Sequence, residues 1–468
     1  LSRRKKNRQV LFENVELIAG GGEGHAIAKI AGKVIFVKYG APGDVVDIRI
    51  VGRKKKFSIA KVLKIHQASE VRTPHFCEHY GLCGGCRWQH INYAAQLELK
   101  NQWTLDCLQR IGKIEVQEYL PIVGSDEQQF YRNKMEYTFS NKRWIYEDEV
   151  LDELPHTNAL GFHAPGRFDK VIAIDKCWLQ DDRGNEIRNF VSDFCIENEF
   201  PFYDLKEHTG LVRNLMLRNS TLGHWMINVI FANNDQERIT LLLDAIQDKF
   251  NPTALNYSIN TKLNDSIYDL DFISYKGSFE IREKLNDLEF KLSPKSFFQT
   301  NTMQAEKLYN VALGFANIDT TDVVYDLYCG TGTITCLAAT KAKHAVGVEI
   351  VEEAITVANQ NAEINKIDNV HFEVGDMKDV FNDEFYGKHG KPDLIITDPP
   401  RSGMHPKVVH FLNKVECPKI VYVSCNPATQ ARDLEMLSDK YDVVKSQAVD
   451  MFPQTHHVEN VTLLVLKK

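Results

Sequence analysis

Apolar residues at 15–19, 26–30, 34–37, 45–51 and 60–65 come in short runs, each cut off by glycine or by charge. Gly20, Gly21, Gly22 and Gly24 follow the first run, and Gly32, Gly40 and Gly43 separate the next ones. Short runs punctuated by turn residues predict strands, and five of them predict a small OB-like barrel closed on itself. A helical spacing follows at 93–111. From about 121 to 290 the pattern is mixed and strand-rich. From about 305 it changes: strand-like runs at 323–327, 345–348, 370–374, 394–397 and 420–424 alternate with helical stretches, and a last run closes the chain at 461–466. That alternation predicts parallel strands with crossover helices. The fold class expected is multidomain α/β: a barrel at 1–66, a mixed α+β domain at 67–290 whose helix 93–111 packs on the third domain, and a Rossmann-like domain at 291–468.

Charge sharpens this division. The 468-residue chain has a formal net charge of −7, yet residues 1–66 hold 15 Lys/Arg against 5 Asp/Glu, which leaves 41 against 58 for the rest. The excess sits in an arm (Arg3, Arg4, Lys5, Lys6, Arg8) and a turn (Arg53, Lys54, Lys55, Lys56). A basic front on an acidic body suits a module that meets phosphates. No apolar run reaches membrane-spanning length, and no apolar stretch follows the basic opening as in a secretory signal; a cytoplasmic protein without membrane contact is expected. Ten cysteines in such a chain suggest metal binding or catalysis rather than disulfides.

Five constellations carry chemistry. Asp326-Leu-Tyr328-Cys-Gly330-Thr-Gly332 follows an apolar strand; glycines there bring backbone close to a ligand. The dinucleotide fingerprint would place a third glycine at 335, where this chain has Thr335. Glu349 ends the next strand, suited to ribose hydroxyls, and Asp376 follows the third, suited to an adenine edge. Together they indicate an adenosine ligand. Asp398-Pro-Pro-Arg401 forms a stiff loop beyond a fourth strand. Enzymes that methylate amino groups commonly follow such prolines with an aromatic, whereas Arg401 suits a phosphate or a base edge. Cys425, at the end of a fifth strand and before Asn426-Pro427, is displayed on a turn as a nucleophile would be. The stretch 450–459 holds two candidate general bases, Glu459 first and His457 second; a lone glutamate is more often a surface residue, and only the resemblance that the motifs carry together favours Glu459 over that reading. Finally, Cys77, Cys83 and Cys86 flank two glycines, with Cys177 distant; the spacing is closer to an iron–sulfur cubane than to a zinc knuckle, with zinc the alternative. Cys107, Cys195, Cys336 and Cys417 read as packing residues, and Cys329 stands between the two classes.

Taken together these motifs resemble the RNA uracil-5 methyltransferase family, in its 23S ribosomal RNA branch, over nearly the whole chain. The resemblance implies that residues 1–66 are a TRAM barrel that binds RNA, and that Cys77, Cys83, Cys86 and Cys177 hold a [4Fe–4S] cluster. It implies that S-adenosyl-L-methionine meets Gln299 (in Ser293-Pro-Lys-Ser-Phe-Phe-Gln299-Thr-Asn301), Tyr328, Glu349, Asp376 and Asp398. It makes Cys425 the nucleophile that adds to carbon 6 of uracil and Glu459 the base at carbon 5. Thr333 departs from an asparagine common in the family, and Tyr131-Arg132-Asn133-Lys134 resembles a run near the RNA path. A tRNA enzyme typically lacks both barrel and cluster cysteines, and a cytosine-5 enzyme would carry a second cysteine near Asp398. An RNA-binding factor with an inactive catalytic fold would not need Cys425 and Glu459. The expected partner is 23S rRNA before ribosome assembly is complete, with the protein a monomer.

Overall fold

The computed structural model describes residues 10–146, 149–151, 154–380 and 383–468. The basic arm Arg3–Arg8 lies outside the described residues.

The N-terminal sheet has six strands rather than five: β1 (Leu11–Glu16), β2 (Ala19–Gly20), β3 (Ala26–Ile30), β4 (Lys33–Lys38), β5 (Val45–Arg53) and β6 (Phe57–Gln67), in the order β1-β5-β6-β4-β3-β2. The run at 15–19 breaks because the chain changes partner within it. Leu17 N–H donates to the Asp44 carbonyl, and Ile18 N–H to that of Ile27. Alternate residues Ala26, Ala28, Ile35, Val37, Val46 and Ile48 fill the interior.

An irregular segment carrying three cysteines leads to α1 (Tyr93–Asp106), which Asn92 caps by accepting from Ala95 N–H at 3.0 Å. One π turn (Cys107–Ile111) and β7 (Val116–Val123) follow. The central sheet comprises β8 (Lys134–Ser140), β9 (Ala159–Ala164), β10 (Arg167–Ala173), β11 (Val212–Asn219), β12 (Trp225–Phe231), β13 (Ala254–Ile259) and β14 (Phe272–Gly277), in the order β10-β9-β8-β11-β12-β13-β14. Helices α2 (Asp182–Glu197) and α3 (Gln236–Phe250) pack on it through Ile187, Val191, Ile239, Leu242 and Ile246.

The hairpin β15 (Ile281–Leu285) and β16 (Leu288–Leu292) precedes the third unit. That unit runs α4 (Thr302–Ala316), β17 (Val323–Leu327), α5 (Thr333–Ala339), β18 (His344–Glu349), α6 (Glu352–Ile364), β19 (Val370–Val374), α7 (Met377–Val380), α8 (Asp383–His389), β20 (Leu394–Thr397), α9 (Pro406–Val415), β21 (Lys419–Ser424), α10 (Pro427–Leu437), β22 (Tyr441–Val449) and β23 (Glu459–Leu466). Its sheet order is β19-β18-β17-β20-β21-β23-β22-β7, with β23 antiparallel to both neighbours. Strands β17, β20 and β21 are buried almost throughout, as a helix-covered parallel sheet requires.

Three strands that begin within 67–290, and the π turn, pack against this unit. β7 pairs in parallel with β22, and Cys107 and Leu108 join the core beneath α9 and α10. In β15 and β16 every second residue is buried, and Ile281, Leu285, Phe290 and Leu292 sit in the core with α4. The hairpin thus packs with α4 in a core that Met226 and Ala254 of the central sheet also join. Among the described residues no helix is long and apolar enough to cross a membrane.

Candidate active site

The first half of the site lies at the carboxyl ends of β17, β18 and β19. Tyr328 and Cys329 N–H groups both donate to the Val348 carbonyl at 3.0 Å, with Tyr328 at φ 68° and Gly332 at φ 79°. A Cβ on Gly332 would stand 2.8 Å from the Phe372 ring, so only glycine lets α5 start this close to β19. A Cβ on Gly330 would meet nothing within 4 Å; the space above it is open to a ligand. Gly330 N–H donates to Glu349 Oε2 at 3.1 Å, while Ile350 and Val351 N–H hold Oε1. The exposed side chains of Ile350 and Val351 thus flank a fixed carboxylate, a surface that suits adenosine. Thr335, where a third glycine was sought, donates its hydroxyl to Asp326 Oδ2 at 2.6 Å. Burial pushes Asp326 up to about 7, and its Oδ1 has no hydrogen-bond partner among the described residues. Asp376 follows β19; burial, then the nearby Asp376 and Asp433, raise the Tyr328 hydroxyl to about 12.

The second half lies at β20, β21 and β23. Ser424 pairs with Asn460 in antiparallel register, so Cys425, one residue on, comes opposite Glu459, one residue back. Asp398 follows the neighbouring β20, and the Pro399-Pro400 turn carries Arg401 to the same mouth. The Arg401 carbonyl accepts from Asn426 Nδ2 at 3.1 Å and Thr429 Oγ1 at 3.2 Å, which ties this loop to the cysteine turn. Burial, then the nearby Glu459 and Asp398, push the Cys425 thiol up to about 12, and Arg401 opposes the rise. Glu459 is 5% exposed, and burial with Asp398 close by holds it well above the carboxylate range. Burial alone raises Asp398 to about 7. The rings of His456 and His457 lie 4.2 Å apart, tilted against each other. Burial lowers both, His456 to about 3 with His457 and Arg87 adding to the fall, and His457 to about 4 with Arg401 and Lys100 adding to it. Buried Tyr309 lies beside Gln299 and in the field of Asp398, Glu459 and Asp326, which puts Gln299 near the same centre. Nothing in the sequence set Tyr309 apart from an ordinary core residue of α4.

A buried frame holds these parts. Lys100 of α1 pairs with Asp450 at 2.5 Å, both side chains 0% exposed, and Tyr93 donates to the same carboxylate. Asn301 and Gln304 side chains donate to the Met451 and Asp450 carbonyls. Tyr131 donates to the Pro453 carbonyl, and Asn133 to the carbonyl of Gln299 and the hydroxyl of Thr302. The Tyr131–Lys134 run thus joins the central sheet to the loop 450–458 that precedes Glu459, a role its sequence did not disclose.

Cys77, Cys83, Cys86 and Cys177 converge, each of the first three thiols lying in the field of Cys177. All four line one cavity of about 830 Å³ that extends to Phe452 and His457, with Arg132, Lys134, Lys176 and Lys295 on its walls. Gly84 has φ 76° and a Cβ there would stand 2.8 Å from Pro165, so the turn between Cys83 and Cys86 requires glycine. Arg87 and Trp88 N–H both donate to the Gln454 carbonyl, linking the cysteine loop to the segment before Glu459. Cys107, Cys195, Cys336 and Cys417 are buried apart from both sites, and Cys329 is buried under the glycine loop.

The strand order and the loop after β17 define a class I methyltransferase fold. A family model described as tRNA (Uracil-5-)-methyltransferase matches residues 219–467, and a TRAM domain model matches residues 5–63. The chain belongs to this uracil-5 methyltransferase family and is an S-adenosylmethionine-dependent RNA methyltransferase with a TRAM domain. It is 51% identical over 451 residues, 95% of this chain and 99% of the relative, to an uncharacterized RNA methyltransferase of Bacteroides thetaiotaomicron. It is 45% identical to one of Porphyromonas gingivalis, over 96% of this chain and 99% of that one. The crystal structure of Pyrococcus abyssi tRNA (uracil-54, C5)-methyltransferase in complex with S-adenosyl-L-homocysteine aligns at TM-score 0.75 and 30% identity, over 96% of this chain and 100% of that chain.

Proposed function

We propose that the protein methylates carbon 5 of a uridine in 23S rRNA, with Cys425 as nucleophile and Glu459 as base. The observation that carries this reading is the register of β21 on β23, which sets a thiol against a buried carboxyl at the sheet's open end. S-adenosylmethionine, when bound, supplies an electrophilic methyl group. Gln299, Tyr328, Glu349, Asp376 and Asp398 would hold it; the open space over Gly330 and the unpartnered Asp326 oxygen fit such a ligand. Cys425 Sγ bonds to carbon 6 of uracil, and the displaced π pair makes carbon 5 nucleophilic toward the methyl. Glu459, whose raised proton affinity makes its carboxylate form a strong base, then takes the proton from carbon 5. That pair restores the double bond as the sulfur–carbon bond breaks. The field of Arg401 favours the thiolate.

In this reading Cys77, Cys83, Cys86 and Cys177 hold a [4Fe–4S] cluster. The four thiols line one cavity of about 830 Å³, which has room for a polynuclear centre. Anaerobically purified protein should carry about four irons per chain; stoichiometric zinc without iron would refute the assignment.

The combination of barrel and cysteine cluster favours 23S rRNA, with the cationic cavity as its path. A tRNA substrate is the second reading, because the structural neighbour that spans 96% of this chain is named for tRNA. Mapping 5-methyluridine in a deletion strain separates them: loss from 23S rRNA supports the first, loss from tRNA alone the second.

A further inference from the structure

We propose that His371, Glu373 and His389 form a binding site for a divalent transition metal of the zinc type, remote from the cysteines. Alternation along β19 puts His371 and Glu373 on one side of the strand and Phe372 on the other. His389, the last residue of α8, brings its ring to 4.7 Å from that of His371. The ligand atoms of all three residues lie within 4.8 Å of one another, the compass of a single ion bound through imidazole nitrogen and carboxylate oxygen at about 2.0–2.2 Å. The independent observation is His389 itself. Its side chain is 5% exposed, yet Nε2 finds no hydrogen bond among the described residues: Glu373 Oε2 stands 3.6 Å away and already meets His371 Nε2 at 3.1 Å, a contact the ion would replace. A buried imidazole nitrogen left without a partner is costly, and a cation between it and Glu373 removes that cost. Two nitrogens and one oxygen with a position open to water match zinc or its neighbours, whereas magnesium and calcium prefer oxygen donors alone.

Lys388 places its ammonium 2.6 Å from the same Glu373 oxygen. Its side chain is 54% exposed, so it can swing into solvent when an ion enters, and it competes with that ion. The bound metal would staple β19, the edge strand of the sheet, to α8 on either side of the segment that carries Asp376. Phe372, between the two strand ligands, packs against Gly332 and Gly347 at the glycine loop, so the staple would also stiffen that floor.

The test uses tag-free, cluster-loaded, full-length protein and zinc chloride alone. One equivalent should bind, and zinc K-edge absorption should give a first shell of nitrogen and oxygen without sulfur. His371→Ala and His389→Ala should each weaken binding by about tenfold or more. Lys388→Ala, a surface change that leaves the fold intact, should tighten it by removing the competing charge. Absence of binding, a sulfur shell, unchanged affinity in both histidine variants, or no tightening in Lys388→Ala would each overturn the site.

Discussion

Cys425 and Glu459 come opposite each other across two strands, and the proposed mechanism has them act at different times, which separates their variants. Cys425→Ala should abolish both methyl transfer and any covalent adduct. Glu459→Gln should leave the first half-reaction possible and trap the enzyme on methylated RNA, because the thiol cannot leave while carbon 5 keeps its proton. Denaturing gels should show a slow band for Glu459→Gln that needs S-adenosylmethionine, and none for Cys425→Ala. Normal turnover by Glu459→Gln would move the base elsewhere, with His457 next. The raised thiol of free Cys425 predicts slow alkylation by iodoacetamide at pH 7 that accelerates toward pH 10. Arg401→Gln should slow it further, and a rate already maximal at pH 7 would contradict the burial argument. Asp326 gives a stability test. Its folded pKa of about 7 lies above the unfolded value of about 3.9. The folded state therefore keeps a proton that the unfolded chain has released, and this contribution is lost as pH rises from 4 through 7. Asp326→Asn should gain several degrees of Tm over the parent at pH 8 and little at pH 4. Parallel Tm curves would show that Asp326 does not hold the proton.

Helix α1 is the element on which the loop 450–458, leading to Glu459, rests. Its Lys100 is paired with Asp450 in a fully buried position, and Gln96 exchanges hydrogen bonds with Gln454 four residues further along the loop. Removing one partner of such a pair leaves a lone buried charge, at a cost of about 3–5 kcal/mol. Lys100→Met should therefore lower the urea midpoint by that equivalent, and Lys100→Met with Asp450→Asn should recover much of it. A double variant no better than the single one would mean that packing of the lysine stem, rather than its charge, sets the loss. Because the loop leads to Glu459, the single variant should also lose turnover while uridine binding at saturating RNA persists.

At the scale of the molecule, the barrel, the cysteine loop and the loop 450–458 form one chain of contacts. Trp88 Nε1 donates to the Gly24 carbonyl of the barrel at 3.0 Å, while its backbone N–H holds Gln454. Arg72 pairs with buried Asp44. Deleting the barrel would strip these contacts along with its charge, so the charge is better tested alone. Lys54, Lys55 and Lys56 are exposed on the turn between β5 and β6. Changing all three to glutamine should weaken RNA binding and lower the slope of log K against log salt by up to about 2–3. Phosphate contacts position without reading sequence, so the uridine chosen should not change. A triple variant that bound as tightly but modified another uridine would make this turn a specificity element.

The sequence by itself determined the kinds of chemistry and the order of the elements. Strand periods of two, glycine at strand ends and cysteine before Asn-Pro are local signals, since backbone sterics and side-chain alternation act over a few residues. They sufficed for the catalytic sheet, the glycine loop and the placing of Cys425 on a turn. What they could not supply was partnership across the chain. β7 looks like any edge strand until β22 lies beside it, and β15 and β16 look like part of the central sheet until α4 covers their apolar face. Lys100 reads as a surface lysine, 350 residues from the aspartate that makes it a buried strut. Tyr309 and His389 gain meaning only from the carboxyl groups that the fold sets near them. Burial and pairing are sums over residues remote in sequence, and only the tertiary structure decides those sums.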